Sequence, residues 1–161
     1  MNTLTGSLKL EKIVVGLADA DRDAAEFRFK IYLEKGKSGL EELPTSYEAI
    51  LTQANGDSPK VELTLVDGVI SLMQVHHGET AYISGIPIGT TWKIVEEDYE
   101  GYNVTSQVIA NGTIQSNGGI ESSGSIMVGE TEVIYTNTAG YELPESGGTG
   151  ITLYTMAGWM L

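Results

Sequence analysis

The chain has 161 residues, with 9 Lys or Arg and 22 Asp or Glu, so its formal net charge is −13. This balance argues against a nucleic-acid partner, which needs a basic face on the protein, and against docking on anionic lipid. Hydrophobic residues make up 41% of the chain, enough for a core, and the length predicts one domain, with or without a tail. Cysteine is absent, which excludes disulfides and thiolate sites, and the two histidines are too few for a His-rich zinc site.

Short alternating apolar runs separated by turn residues predict an all-β domain. The chain has 20 glycines, a share well above average usage, which is typical of a fold with many turns. Asp67-Gly68 and Asn111-Gly112 are strong hairpin-turn signals. Turn signals recur every 8–12 residues or so, which favours a sandwich or barrel. The predicted strands are 8–15, 26–33, 47–53, 61–66, 69–75, 80–84, 91–97, 104–110, 113–116, 125–128 and 132–136.

Residues 40–54 are the only candidate for a helix, and they overlap the strand predicted at 47–53. Pro44 and several β-branched residues weaken the helical interpretation. Residues 85–89, Gly-Ile-Pro-Ile-Gly, predict a turn between two strands.

Asp19, Asp21 and Asp23 are spaced like the first ligands of a calcium loop. However, Ala24 stands where the loop needs glycine, and Lys30 stands where it needs its last glutamate. We therefore predict an acidic hairpin loop here, and no metal site in the chain.

Three polar residues fall on strand faces that otherwise carry apolar side chains. They are Lys12 in the first predicted strand, Glu96 at the parity of Trp92, and Asn137 at the parity of Tyr135. A lone buried charge costs several kcal/mol. Lys12, Glu96 and Asn137 could satisfy one another if the fold brings them together.

The same three residue types can also react. Burial lowers the pKa of a lysine and raises that of a glutamate, and a neutral amine is a nucleophile. A protonated glutamate can polarise an asparagine carboxamide and shuttle protons as ammonia leaves. The product would be a Lys12–Asn137 isopeptide bond formed in the water-excluded core of a sandwich.

Each of the three residues also has an ordinary interpretation. A lysine near a strand end often extends its amine to solvent. Glu96 begins an acidic run, Glu96-Glu97-Asp98, which is typical of a solvated face. An asparagine near a strand end is most often a turn residue.

Four segments, in their order and spacing, resemble the isopeptide-linkage domains of Gram-positive, streptococcal-type pilins. Residues 6–12 (GSLKLEK) are similar to the opening strand of that family, 84–98 (SGIPIGTTWKIVEED) to its turn and acidic strand, and 133–138 (VIYTNT) to its closing strand. The resemblance implies an Ig-like (CnaB-type) β-sandwich. It also implies that Lys12 is the amine donor, Asn137 the acceptor and Glu96 the catalytic acid.

The fourth segment, Leu143-Pro144-Glu145-Ser146-Gly147, resembles the sortase sorting signal Leu-Pro-any-Thr-Gly, with serine in place of the usual threonine. Residues 151–161 are apolar but too few to cross a bilayer, so we interpret them as a truncated hydrophobic anchor. The expected organisation is a lead at 1–5, an isopeptide-linked domain at 6–138, and a sorting signal with its anchor at 139–161.

The resemblance implies the C-terminal structural domain of a pilus backbone or cell-surface stalk, on the outside of a Gram-positive bacterium. The implied partners are a sortase and either neighbouring pilin subunits or cell-wall peptidoglycan, with no cofactor and no nucleic acid. The alternative is an adhesin module that recognises a host protein or glycan. We do not expect an enzyme with an external substrate, because the sequence carries no Ser-His-Asp set, metal cluster or phosphate loop.

Overall fold

The computed structural model describes residues 4–36, 42–97 and 100–140. In those ranges the chain forms eleven strands, the type of element that the alternating sequence predicts, and one short helix that it does not predict. In chain order the elements are β1 (Thr5–Val15), α1 (Asp19–Ala24), β2 (Phe27–Glu34), β3 (Ser46–Thr52), β4 (Lys60–Thr64), β5 (Val69–Val75), β6 (Thr80–Pro87), β7 (Thr91–Glu96), β8 (Tyr102–Ala110), β9 (Thr113–Gly118), β10 (Glu121–Ser125) and β11 (Gly129–Ala139).

The strands form two sheets that pack face to face, so the predicted all-β sandwich is confirmed. The large sheet has the order β4-β3-β6-β1-β11-β8-β9, and the small sheet has the order β10-β7-β2-β5. Inward residues of both sheets make one apolar core, in which Phe29, Ile31 and Ile94 of the small sheet meet Leu10 and Val133 of the large sheet. Alternate positions of each strand are buried, which is the period-two pattern of a sandwich.

The first and last strands are neighbours. β1 pairs with β11 in parallel, from Gly6 opposite Gly129 to Val15 opposite Thr138. Because the two strands run in the same direction, the chain enters β1 at one end of the sandwich and leaves β11 at the other. This pairing puts Lys12 and Asn137 on adjacent strands of one sheet.

Both predicted hairpin turns are present. Asp67 and Gly68 have φ angles of 52° and 80°, and Asn111 and Gly112 have φ angles of 50° and 84°. Positive φ at both central residues is the requirement of the type I′ turn, which explains the Asx-Gly pairs.

Of the two interpretations of residues 40–54, the strand predicted at 47–53 is confirmed: 46–52 are strand β3, with Tyr47 and Ala49 facing the core. Two other local predictions were wrong. The predicted loop at Asp19, Asp21 and Asp23 is instead helix α1, whose first-turn aspartates complement the positive end of the helix dipole. The turn predicted at 85–89 begins later, because β6 continues through Gly85 to Pro87.

The strand predicted at 125–128 was also wrong, since β10 spans Glu121–Ser125. This strand is polar and lies at an edge of the small sheet. Its Gly124 packs under the ring of Trp92, and a Cβ at Gly124 would lie 2.9 Å from the Trp92 ring. The absence of a side chain therefore has a packing reason that alternation does not detect.

The segment 143–147 and the apolar residues 151–161 lie outside the described residues. Within the described ranges, no helix has the length and apolar character needed to cross a membrane.

Candidate functional site

The two sheets bring Lys12, Glu96 and Asn137 together in the core. Lys12 comes from the middle of β1 and Asn137 from the end of β11, both facing inward from the large sheet. Glu96 is the last residue of β7 and faces them from the small sheet. All three side chains are buried, with 0% relative exposure.

The Lys12 amine contacts both other members of this triad. Its Nζ donates a hydrogen bond to Glu96 Oε2 at 2.9 Å, and it also donates to Asn137 Oδ1. Both contacts are sheltered from water, where charge-assisted hydrogen bonds are strongest. The amine therefore lies against a carboxylate on one side and a carboxamide on the other.

Asn137 is only half satisfied. Its Oδ1 accepts from Lys12, but its buried Nδ2 has no hydrogen-bond partner in the part of the chain that the structure describes. A buried polar group without a partner costs about 1–3 kcal/mol. Loss of this NH2 group would remove that cost.

Aromatic rings line the site. The Lys12 Nζ lies 4.1 Å from the centroid of the Phe27 ring and 5.9 Å from that of Phe29. Tyr102 packs edge-on against Phe27, with the ring centroids 5.3 Å apart. These rings hold the amine in place and exclude water, while their π faces partly offset its lost hydration.

Burial lowers the pKa of Lys12 to about 8, from its ordinary value of 10.5. The Glu96 carboxylate acts in the opposite direction, through its charge and its hydrogen bond, but does not overcome the loss of solvation. At a given pH, the neutral amine, which is the nucleophilic form, is therefore far more populated here than on a solvated lysine.

The turn between β5 and β6 holds the Lys12 backbone. The Lys12 N–H donates to the Glu79 carbonyl at 3.1 Å, and the Gly78 N–H donates to the Lys12 carbonyl at 2.8 Å. Two residues further along β1, the Val14 N–H donates to Nδ1 of His77 at 2.9 Å. Alternation along the strands gives no sign that this turn, which carries His77, is hydrogen-bonded to β1 beside the triad.

The remaining titratable residues do not form a metal centre in the described ranges. His76 lies 3.4 Å from Glu26 and 3.1 Å from Glu79, yet no three His, Asp or Glu side chains are arranged there to hold an ion. The polar groups that meet at the triad are an amine, a carboxyl group and an amide.

A family model matches residues 6–139, a range that contains the whole triad. The chain belongs to this family, which is described as a domain of unknown function (DUF7601). No curated protein shows significant similarity to this DUF7601 chain.

Several solved structures that resemble the DUF7601 chain are pilus proteins. A mutant of the major pilin from Streptococcus pyogenes is 18% identical with a TM-score of 0.71, over 85% of this chain and 49% of the pilin. The T3.2 major pilin from S. pyogenes is 20% identical with a TM-score of 0.66, over 84% of this chain and 45% of the pilin. The pilus-presented adhesin Cpa is 25% identical with a TM-score of 0.62, over 86% of this chain and 28% of the adhesin.

These likenesses confirm that the fold is that of a Gram-positive pilin-type domain. The chain spans about half the length of the major pilins and 28% of the adhesin. The match is thus to part of each larger protein.

The lowered pKa of Lys12 predicts a pH-dependent stability in an Asn137→Ala variant, which keeps the amine but has no carboxamide beside it. Between pH 8 and 10.5 the unfolded chain binds more protons at Lys12 than the folded chain does. Stability therefore rises with pH in this window. We expect the free energy of unfolding to increase by roughly 1–2 kcal/mol from pH 8 to about pH 9.5, measured by denaturant titration.

The matched control is the double variant Lys12→Met, Asn137→Ala. It lacks the Lys12 amine but retains the other titratable groups near the site. Its unfolding free energy should lack this rise. Equal pH slopes in the two proteins would show that Lys12 does not have a lowered pKa.

Proposed function

We propose that this chain is a structural domain of a Gram-positive pilus or surface stalk, cross-linked internally by an isopeptide bond between Lys12 and Asn137. The observation that supports this most is the contact of one buried amine with both Glu96 and Asn137. An amine, a carboxyl group and an amide are the groups that such a bond requires. The pilus fold of the similar structures supports the biological setting.

In the proposed reaction, Glu96 first takes a proton from the Lys12 ammonium, which leaves a neutral amine and a neutral acid. The amine attacks Cγ of Asn137 while the protonated Glu96 stabilises the charge that develops on Oδ1. A new Nζ–Cγ bond forms and the Cγ–Nδ2 bond breaks. One amine hydrogen passes through Glu96 to Nδ2, so that ammonia leaves. The proton that Glu96 first took from the ammonium departs with the ammonia as an ammonium ion, which regenerates the Glu96 carboxylate. The reaction turns over once and has no external substrate.

The bond would close most of the domain into one covalent ring, from the first strand to the last. By the loop-entropy argument used for disulfides, a ring of about 100 residues stabilises the folded state by ~4–5 kcal/mol. An amide is also not reduced by thiols, which suits a chain without cysteine on a cell surface.

The strand order supports a mechanical role. β1 and β11 are parallel neighbours, so the two ends of the domain point in opposite directions. Tension would enter along β1 as far as Lys12, cross the new bond, and leave from Asn137 along the end of β11. The strands between these two positions would carry little of the load, which is what a stalk subunit requires.

We further propose that a sortase acts at Leu143–Gly147, either to join the chain to neighbouring pilin subunits or to attach it to cell-wall peptidoglycan. This proposal rests on the sequence signal alone, since residues 143–147 lie outside the described residues. It gives the domain an extracellular, wall-attached position at the C-terminal end of a longer surface protein.

The ring predicts a specific difference between the wild-type chain and an Asn137→Ala variant. The variant should melt roughly 10–20 °C lower and be digested faster by protease. In concentrated guanidinium chloride, the wild-type chain should elute from a sizing column as the more compact molecule. Only a covalent ring explains the difference in elution, because noncovalent contacts of Asn137 are lost in the denaturant.

Asn103→Ala is the matched control, because it removes an exposed asparagine of neighbouring β8. This variant should behave like the wild-type chain in all three measurements. Identical elution of wild-type and Asn137→Ala chains in denaturant would contradict the ring, whatever their melting temperatures.

The likeness to a pilus-presented adhesin, which has the highest identity among the structures compared above, supports a second candidate function. In this alternative the domain recognises a host protein or glycan through its exposed loops. A glycan and matrix-protein array probed with the cross-linked domain distinguishes the two. The structural role predicts no saturable ligand, whereas the adhesin role predicts at least one that survives competition with an unrelated acidic protein.

A further inference from the structure

Lys12 and Tyr135 both reach from the large sheet to the small sheet with polar side chains. The Tyr135 hydroxyl lies 2.8 Å from the Ile94 carbonyl oxygen and 2.9 Å from the Ile120 carbonyl oxygen. Ser122 Oγ of β10 lies 2.9 Å from the same hydroxyl. Tyr135 is fully buried, so these hydrogen bonds form without competition from water.

The hydroxyl is held as a donor. Burial raises the pKa of Tyr135 far above its ordinary value, so the side chain stays protonated. It shares its one hydrogen between the carbonyl groups of Ile94 and Ile120, while the Ser122 hydroxyl can donate to its oxygen. The ring packs edge-on against Phe29, with centroids 5.1 Å apart, which restricts its rotation.

The important feature is where the Tyr135 hydrogen bond to Ile94 lies along the two strands. Tyr135 precedes Asn137 by two residues on β11 and shares its inward face. Ile94 precedes Glu96 by two residues on β7 and also faces inward. The Tyr135–Ile94 hydrogen bond therefore joins the strand that carries the amide to the strand that carries the acid, one pleat away from both groups.

We propose that Tyr135 is a positioning residue for the formation of the Lys12–Asn137 bond, an inference that rests on the proposed function. Tyr135 touches none of the reacting atoms. It fixes the separation of β11 and β7, and thereby holds the Asn137 carboxamide within reach of the proton on Glu96. A misplacement of about 1 Å in such an arrangement can cost a hundredfold in rate.

The test compares the rate of ammonia loss in the full chain and in a Tyr135→Phe variant. Each chain is made by cell-free synthesis, quenched in denaturant before it folds, and refolded by dilution. Intact mass is then followed over time. The variant keeps the ring and its contact with Phe29 and loses only the hydroxyl, and we expect it to lose ammonia at least tenfold more slowly.

Tyr47→Phe is the matched control. Tyr47 is also a buried tyrosine of the large sheet, but its hydroxyl has no hydrogen-bond partner among the described residues. Its removal should leave the rate of ammonia loss unchanged. Slowing by the same factor in both variants would mean that loss of any buried hydroxyl has this effect, and would overturn the proposal.

Reduced folding could also slow the reaction, so the folded fraction is measured separately in an Asn137→Ala background, where no bond forms. Sucrose is added until the Tyr135→Phe chain is as fully folded as its parent. A positioning role predicts that the slow rate persists under these conditions, and recovery of the wild-type rate would overturn it. Absence of ammonia loss from the wild-type chain would instead refute the proposed function itself.

Discussion

The structure depends on the burial of one amine. Lys12 lies in the core, between Glu96 of one sheet and Asn137 of the other, with no exposed surface. Left as an ion pair, this arrangement carries the desolvation cost of two charges, which often exceeds their attraction. Converted into an amide, it has no charge on the lysine and no orphaned NH2 on the asparagine. The proposed reaction would therefore remove both the buried charge on Lys12 and the unpartnered NH2 group of Asn137.

The proposed bond would be useful because the fold places the strands of Lys12 and Asn137 side by side and parallel. Cross-linking adjacent antiparallel strands at a hairpin would close a small ring and carry no load along the chain. The proposed link would instead join the first strand to the last, with the acid on the opposite sheet. The triad therefore assembles only after both sheets have packed, so the proposed cross-link would form in a domain that is already folded.

Part of the fold and of the candidate site could be predicted from the sequence, because the alternation of side chains along a strand depends only on residues close together in the chain. Alternation placed Lys12, Glu96 and Asn137 on inward faces, and the Asx-Gly pairs located two hairpin turns. Pairing between distant strands is not local, so alternation alone predicted neither the parallel β1–β11 pairing nor the Tyr135–Ile94 hydrogen bond. The same holds for β10, whose glycine makes room for a tryptophan of another strand.

The most direct test of this account is the intact mass of the purified, folded chain beside that of Glu96→Ala. We expect the wild-type mass to lie one ammonia below the value calculated from the sequence, and the Glu96→Ala mass to match its calculated value in full. This variant keeps both Lys12 and Asn137 and removes the carboxyl group that would transfer the proton. A folded wild-type chain at its full calculated mass would contradict the central claim that the buried triad reacts.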